Sequence, residues 1–335
     1  MSGTTPPIGV AFAGAGMVAE LHERALRRLP QAKLVGLYEP DQHLAARRAD
    51  EWGCTAFASF EALLEDDTVD CVLILAPFEA HEALALQAIA AGRHVLVEKP
   101  VAAADGIERL TQAATDQGLV CLPGHNYAYQ PEFAQLRSLA REGSLGRVRA
   151  LWITYAIAHP ESVAARYAGV LDEVMVHHSY LALALLGAPR DLVAGRLEPA
   201  WKSHPAEDQA WMTWTWSGGT SAHLFASFAV GDETADPWTF VVKVLGERGS
   251  ATYSWRNAVV QRPLGTLAIG LPSYEDSYVY ELRALFAAIG GDDCAVVSPL
   301  EDALLTQRIL AAADRSASAG ATIRNPTAAD SAPRA

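Results

Sequence analysis

Short, unbroken apolar runs separated by helical stretches dominate the first third of the chain. Ile8-Gly9-Val10-Ala11-Phe12 reads as a buried strand, and strands recur at residues 34–38, 71–75, 94–97 and 119–122. Helix-like segments lie between them: one running to about Leu29, one over 59–65, one over 81–91 and one over 104–117. Ser59 is a helix-capping residue type, and Gly92 and Gly118 suit the left-handed position that closes a helix. Apolar strands joined by short helical crossovers predict a parallel sheet covered on both faces. Pro123-Gly124 then ends a first domain at 1–123.

After Gly124 the pattern changes. Helices are predicted over 132–142 and 171–186, and strands over 148–157, 209–216, 221–229, 240–245 and 251–255, with Ser217-Gly218-Gly219 in a hairpin turn. This is an α+β domain, assigned to 124–318. The remainder, 319–335, belongs to a small, polar stretch beginning at Ser316 and is expected to fray at its end. Trp211, Thr213 and Thr215 share one face of their strand, and Met212, Trp214 and Trp216 the other. A strand apolar on both sides suits a core or subunit contact better than an aromatic platform for sugars.

The 335 residues suffice for two domains, and with half of them hydrophobic and 19% charged the composition is globular. A net charge of −13 argues against nucleic acid and anionic membranes as partners. There is no apolar run of ~20 residues, and the first residues lack signal-peptide character, so a cytoplasmic location is expected. Cys54, Cys71, Cys121 and Cys294 are scattered without a CxxC, which fits reduced thiols and no metal site.

Chemistry enters at Gly14-Ala15-Gly16-Met17-Val18-Ala19, a G-x-G-x-x-A placed between a strand and a helix. Gly14 permits the tight turn, Gly16 lets a pyrophosphate approach backbone N–H groups, and Ala19 lets the helix pack closely. The helix amino terminus supplies partial positive charge. Glu39 closes the second strand, 20 residues beyond Ala19, where a carboxylate accepts from ribose hydroxyls. With no Arg or Lys directly after it, NAD is favoured over NADP.

Two further groups stand out. Glu98-Lys99-Pro100 ends the strand 94–97 and sets an ammonium at the carboxyl end of a sheet strand, where open α/β sheets hold ligands. Alone, it reads equally as a solvated strand end. In the helix 171–186, His178 shares the apolar stripe of Leu171, Val174, Leu181 and Leu185 and reads as a packed core histidine. Glu173, His177, Tyr180 and Ala184 share the neighbouring stripe. A carboxylate one turn back from His177 holds one ring nitrogen and leaves the other as a base, or forms an ordinary surface pair.

Together these segments, with Glu39-Pro40, Asp70 through Pro77, His81, Gly143-Ser144-Leu145-Gly146 and Gly187, resemble the glucose–fructose oxidoreductase / inositol dehydrogenase / rhizopine-catabolism (Gfo/Idh/MocA) family. The resemblance extends to about residue 318. It implies an α/β Rossmann domain with a doubly wound parallel sheet, then an α+β domain with an open-faced, mostly antiparallel sheet used for homodimer or homotetramer assembly. It implies a catalytic lysine at Lys99 and a catalytic histidine at His177, helped by Glu173. The family usually shows Asp-x-Gly-x-His in this helix. Here Glu173 keeps the charge on a longer arm, and Met175 closes space where glycine is usual.

The expected cofactor contacts are Gly14, Gly16, Met17, Val18, Glu39, Ala76, Pro77, His81, Glu98 and Lys99. Asn126, Tyr127, Arg166 and His178 flank the motifs and are candidate contacts for a small carbohydrate-like substrate. The expected reaction is NAD-dependent oxidation of a secondary hydroxyl of a sugar, cyclitol or glycoside, reversible as ketone reduction. His177 takes the hydroxyl proton, and Lys99 stabilises alkoxide charge and disfavours imidazolium. The rival readings are a redox-assisted glycosidase or lyase and a non-catalytic NAD-binding sensor.

Overall fold

The computed structural model describes residues 6–160, 162, 168–197, 206–231, 238–254, 260–262, 265–266 and 274–328. The chain forms two compact units: Met1–Tyr129 with Glu275–Leu304, and Gln130–Tyr274 with Leu305–Ala335. The expected break near Pro123 therefore has a counterpart at Tyr129, but the chain also returns to the first unit after residue 274.

The first unit contains six parallel strands: β1 (Ile8–Ala13), β2 (Ala32–Tyr38), β3 (Thr55–Ala56), β4 (Cys71–Ile74), β5 (His94–Val97) and β6 (Cys121–Pro123). Their order is β3-β2-β1-β4-β5-β6. The connecting helices are α1 (Met17–Leu26), α2 (Gln42–Trp52), α3 (Phe60–Leu64), α4 (Phe78–Ala90) and α5 (Ala104–Gln117). Every residue of β4 is buried, which explains its unbroken apolar sequence. The core joins Val72, Ile74, Val95 and Val97 to Ala85, Ala88 and Ile89 of α4 and to Ile107 and Leu110 of α5. Leu300 and Ala303, from the returning segment, pack into the same core. Strand order reverses between β1 and β4, so the ligand crevice of such a sheet lies beyond their carboxyl ends.

The hydrophobic pattern did not announce α2. It buries only Ala45, Ala49 and Trp52, and it starts because Asp41 Oδ1 accepts the N–H groups of His43 at 3.0 Å and Leu44 at 3.1 Å.

The second unit carries α6 (Pro131–Arg141), α7 (Val170–Glu173) and α8 (Met175–Leu186) with a nine-stranded sheet. Its strands are β7 (Val148–Ala156), β8 (Asp191–Leu197), β9 (Gln209–Thr215), β10 (Ser221–Ser227), β11 (Thr239–Gly246), β12 (Ser250–Ser254), β13 (Val260–Arg262), β14 (Gly265–Thr266) and β15 (Ile323–Arg324). They run β14-β13-β12-β11-β7-β10-β9-β8-β15 and are antiparallel except for the parallel pair β7–β10. Leu151, Met212, Trp214, Leu224, Val242 and Val244 point inward, while Trp152 and Trp211 stand on the exposed face with Lys243 over the Trp152 ring. Trp211 and its neighbour Met212 thus lie on opposite faces, one open and one packed.

The start of the small, polar stretch from Ser316 is held in place, while its end lies outside the described residues. Ser316 is fully buried; its Oγ accepts from Ala194 N at 2.9 Å and donates to Ala321 O at 2.6 Å. Ile323 and Arg324 then extend the sheet beside β8. A small, polar composition concealed these long-range backbone pairings.

Candidate active site

In the first unit, the glycine-rich turn between β1 and α1 meets two different demands. Gly14 has φ +110°, and a Cβ there would lie 2.5 Å from the Leu75 carbonyl oxygen. The fold itself therefore requires this glycine. Gly16 is exposed, and a Cβ there would meet nothing within 4 Å. Its lack of a side chain leaves open space beside the amino end of α1, which has no side-chain cap. Uncapped N–H groups and an approachable backbone suit a pyrophosphate. Met17 is 68% exposed beside them.

Glu39 follows β2 and anchors this turn. Its Oε2 accepts the Ala15 N–H at 3.0 Å, and its Oε1 accepts the Asp41 N–H at 3.2 Å. The carboxylate is thereby fixed against the glycine-rich turn. These residues fit a dinucleotide.

At the same carboxyl edge of the sheet, β4 is followed by Ala76-Pro77 and β5 by Glu98-Lys99-Pro100, with a cis Lys99–Pro100 peptide. His81, in the first turn of α4, is 2% exposed; its Nε2 is 2.8 Å from Ala76 O and its Nδ1 is 2.8 Å from Pro100 O. Both of its polar atoms thus face backbone carbonyls. Glu98 is buried, with Oε1 3.0 Å from His22 Nε2 and Oε2 accepting the Lys99 N–H at 3.0 Å. Burial pushes the Glu98 carboxyl up, but His22 and Lys99 outweigh burial and hold it below the ordinary carboxylate range. Lys99 is half-buried.

Glu281 belongs to the same unit. It is fully buried, and neither carboxyl oxygen has a hydrogen-bond partner among the described residues. Burial, and then the charge on Glu98, push its carboxyl well above the ordinary value. One carboxylate and one neutral acid are the stable arrangement of this pair. Asn126 and Tyr127 are buried, and Asn126 Nδ2 donates to Ser277 Oγ at 2.8 Å.

In the second unit, the predicted helix 171–186 is interrupted at Val174, whose φ of −115° separates α7 from α8. Glu173 and His177 therefore lie on either side of a break rather than on one regular helix. Glu207 Oε1 accepts the Leu171 N–H at 2.9 Å, which fixes the start of α7. Burial, followed by the charges of Glu207 and Glu173, pushes the Asp172 carboxyl up.

His177 is 9% exposed, and its Nδ1 lies 2.7 Å from the Tyr180 hydroxyl, with the rings edge to face. Tyr180 is a hydrogen-bonding partner of His177 that the sequence placed on the same stripe without assigning it a role. His178 is fully buried, neither ring nitrogen has a hydrogen-bond partner among the described residues, and burial pushes it down to about 3. Met175 is also fully buried. Arg166 lies outside the described residues.

His22 and Glu281 escaped the sequence reading, since their significance depends on contacts distant along the chain. A helical signal existed for His22: it follows Ala19 by one turn and faces the same way. Among the described residues, no cluster of three His, Cys, Asp or Glu residues could hold a metal ion, and no helix is long and apolar enough to cross a membrane.

Residues 8–125 match the profile of the Gfo/Idh/MocA oxidoreductase family with its NAD-binding Rossmann fold, and residues 133–252 match the C-terminal domain of the same family. The chain is 32% identical over 184 residues to dTDP-3,4-didehydro-2,6-dideoxy-alpha-D-glucose 3-reductase of Streptomyces violaceoruber, covering 51% of this chain and 54% of that one. It is 33% identical over 221 residues to UDP-N-acetylglucosamine 3-dehydrogenase of Acidithiobacillus ferrooxidans, covering 65% and 66% respectively. The chain thus spans about half to two thirds of the length of these relatives. The crystal structure of GenD2 from gentamicin A biosynthesis in complex with NAD is similar at 25% identity, with a TM-score of 0.83 and coverage of 96% and 97%.

Proposed function

Because the chain belongs to the Gfo/Idh/MocA oxidoreductase family, we propose that it is an NAD-dependent oxidoreductase acting on a secondary hydroxyl of a sugar, cyclitol or glycoside. The observation that carries this reading is the carboxyl edge of the first unit's sheet: an open Gly16 turn fixed to Glu39 after one strand, and Glu98-Lys99 after another. Relatives named for sugar reduction and nucleotide-sugar dehydrogenation support the substrate class.

NAD would be held by Gly14 through Val18 and Glu39, with Ala76 and Pro77 beside it, and when bound it supplies the hydride acceptor. His177 Nε2 takes the hydroxyl proton; Tyr180, on Nδ1, keeps the ring turned so that Nε2 is presented. Lys99 offers a positive charge to the developing alkoxide, a contribution of about 3 kcal/mol for one well-placed group. Glu98 accepts the Lys99 backbone N–H, and the Lys99 charge helps hold the Glu98 carboxyl in its anionic form. Asn126, Tyr127 and Arg166 remain candidate substrate contacts, and a homo-oligomer is part of the proposal.

A screen of pyranoses, cyclitols and their glycosides with NAD and NADP tests this, following reduced cofactor by absorbance and product by mass. Stoichiometric NADH with a product two hydrogens lighter is the expected result. Cleavage without net NADH would replace the reading with a redox-assisted glycosidase or lyase.

A further inference from the structure

We propose that His81 is a positioning residue that donates from both ring nitrogens, clamping the Ala76-Pro77 turn to the carbonyl that follows Lys99. The distances leave little choice. Nε2 lies 2.8 Å from Ala76 O and Nδ1 lies 2.8 Å from Pro100 O, on a ring only 2% exposed. Carbonyl oxygens only accept. A neutral imidazole has one N–H and one lone pair, so either tautomer would set a lone pair against a carbonyl oxygen at hydrogen-bond distance. A proton on each nitrogen turns both contacts into charge-assisted hydrogen bonds.

The site of the clamp gives it a role. Ala76 follows β4 and Pro100 follows β5, neighbouring strands paired through Ile74 and Val97. Past these residues the ladder ends, with the Glu98 N–H on Ile74 O at 3.1 Å. Beyond that bond no backbone hydrogen bond among the described residues continues the β4–β5 ladder, and His81 bridges the two chain ends from the first turn of α4. One side of the bridge is the turn expected to touch the cofactor; the other is the peptide attached to Lys99. The amino end of α4 disfavours a cation there, so the two carbonyls must outweigh it. The kinetic part of this inference rests on Lys99 acting in the proposed reaction, whereas the protonation part does not.

Neutron diffraction from the full chain with NAD, in deuterated buffer near neutral pH, reads the ring directly. Deuterium on both nitrogens of His81 is expected, and deuterium on only one overturns the clamp. His81→Phe keeps a flat ring and removes both donors. Its kcat should fall about tenfold while substrate KM stays within threefold, because a displaced catalytic group costs turnover more than binding. Wild-type kcat in a folded His81→Phe overturns the positioning role. Should Lys99→Ala keep full activity while both nitrogens carry deuterium, the clamp stands and the catalytic reading falls. If His81→Phe does not fold, the diffraction result on the native chain still decides.

Discussion

Glu98 Oε1 lies 3.0 Å from His22 Nε2, a contact spanning 76 positions of the chain and buried at both ends. It joins the first helix after the glycine-rich turn to the residue that precedes Lys99. Glu281, whose carboxyl is raised by burial and then by the charge on Glu98, belongs to the same buried group.

Removing His22 should strand the Glu98 carboxylate in the interior. His22→Ala is expected to cost about 2 kcal/mol of stability in chemical denaturation, the scale for leaving a buried carboxylate without its hydrogen-bond partner. The double variant His22→Ala/Glu98→Gln should recover part of the loss, because no charge is left unpaired. Equal stability of the single and double variants would mean that Glu98 is not held as an anion.

Glu281 gives a pH dependence of definite sign. Its carboxyl is raised well above the ordinary value, so the folded chain keeps a proton that the unfolded chain releases. Stability therefore falls as pH rises above the ordinary glutamate range and continues to fall until the folded carboxyl ionises. Glu281→Gln should remove this slope and be more stable than the wild type at pH 8, with little difference at pH 4. Parallel melting curves for the two proteins across that range would contradict the assignment.

The two glycines of the turn should separate fold from cofactor. Gly14→Ala forces a Cβ to within 2.5 Å of a backbone oxygen at φ +110° and should lower the melting temperature. Gly16→Ala meets nothing in the protein and should melt as the wild type does, while weakening NAD about tenfold or more. Calorimetry of both, with and without NAD, reads the contrast.

Tyr180→Phe removes the hydroxyl on His177 Nδ1. Turnover should fall about tenfold with NAD affinity unchanged, the usual scale for disturbing a general base. Unchanged turnover would leave Tyr180 a packing residue.

The parallel sheet was legible because β4 and β5 are apolar without interruption, and a strand buried on both faces can be little else. Gly14, Gly16 and Glu39 were legible because their spacing is local to one strand–turn–helix unit. Three features were hidden. The return of residues 275–304 depends on which core Leu300 and Ala303 enter, and periodicity cannot specify that. The break at Val174 lies in a sequence with no proline or glycine to mark it, so regular i,i+4 geometry was expected for Glu173 and His177. His22 and Glu281 are ordinary polar residues on helices until the fold buries them beside Glu98.

The central claim is that Lys99 and His177 carry proton and charge for a hydride transfer to NAD. Its most direct test is the initial rate of NAD reduction, with a substrate from the screen, in Lys99→Ala and His177→Ala alongside a titration of NAD into each. The account predicts loss of more than about 99% of turnover in both variants with NAD affinity within a few fold of wild type. Full turnover in either variant would contradict it.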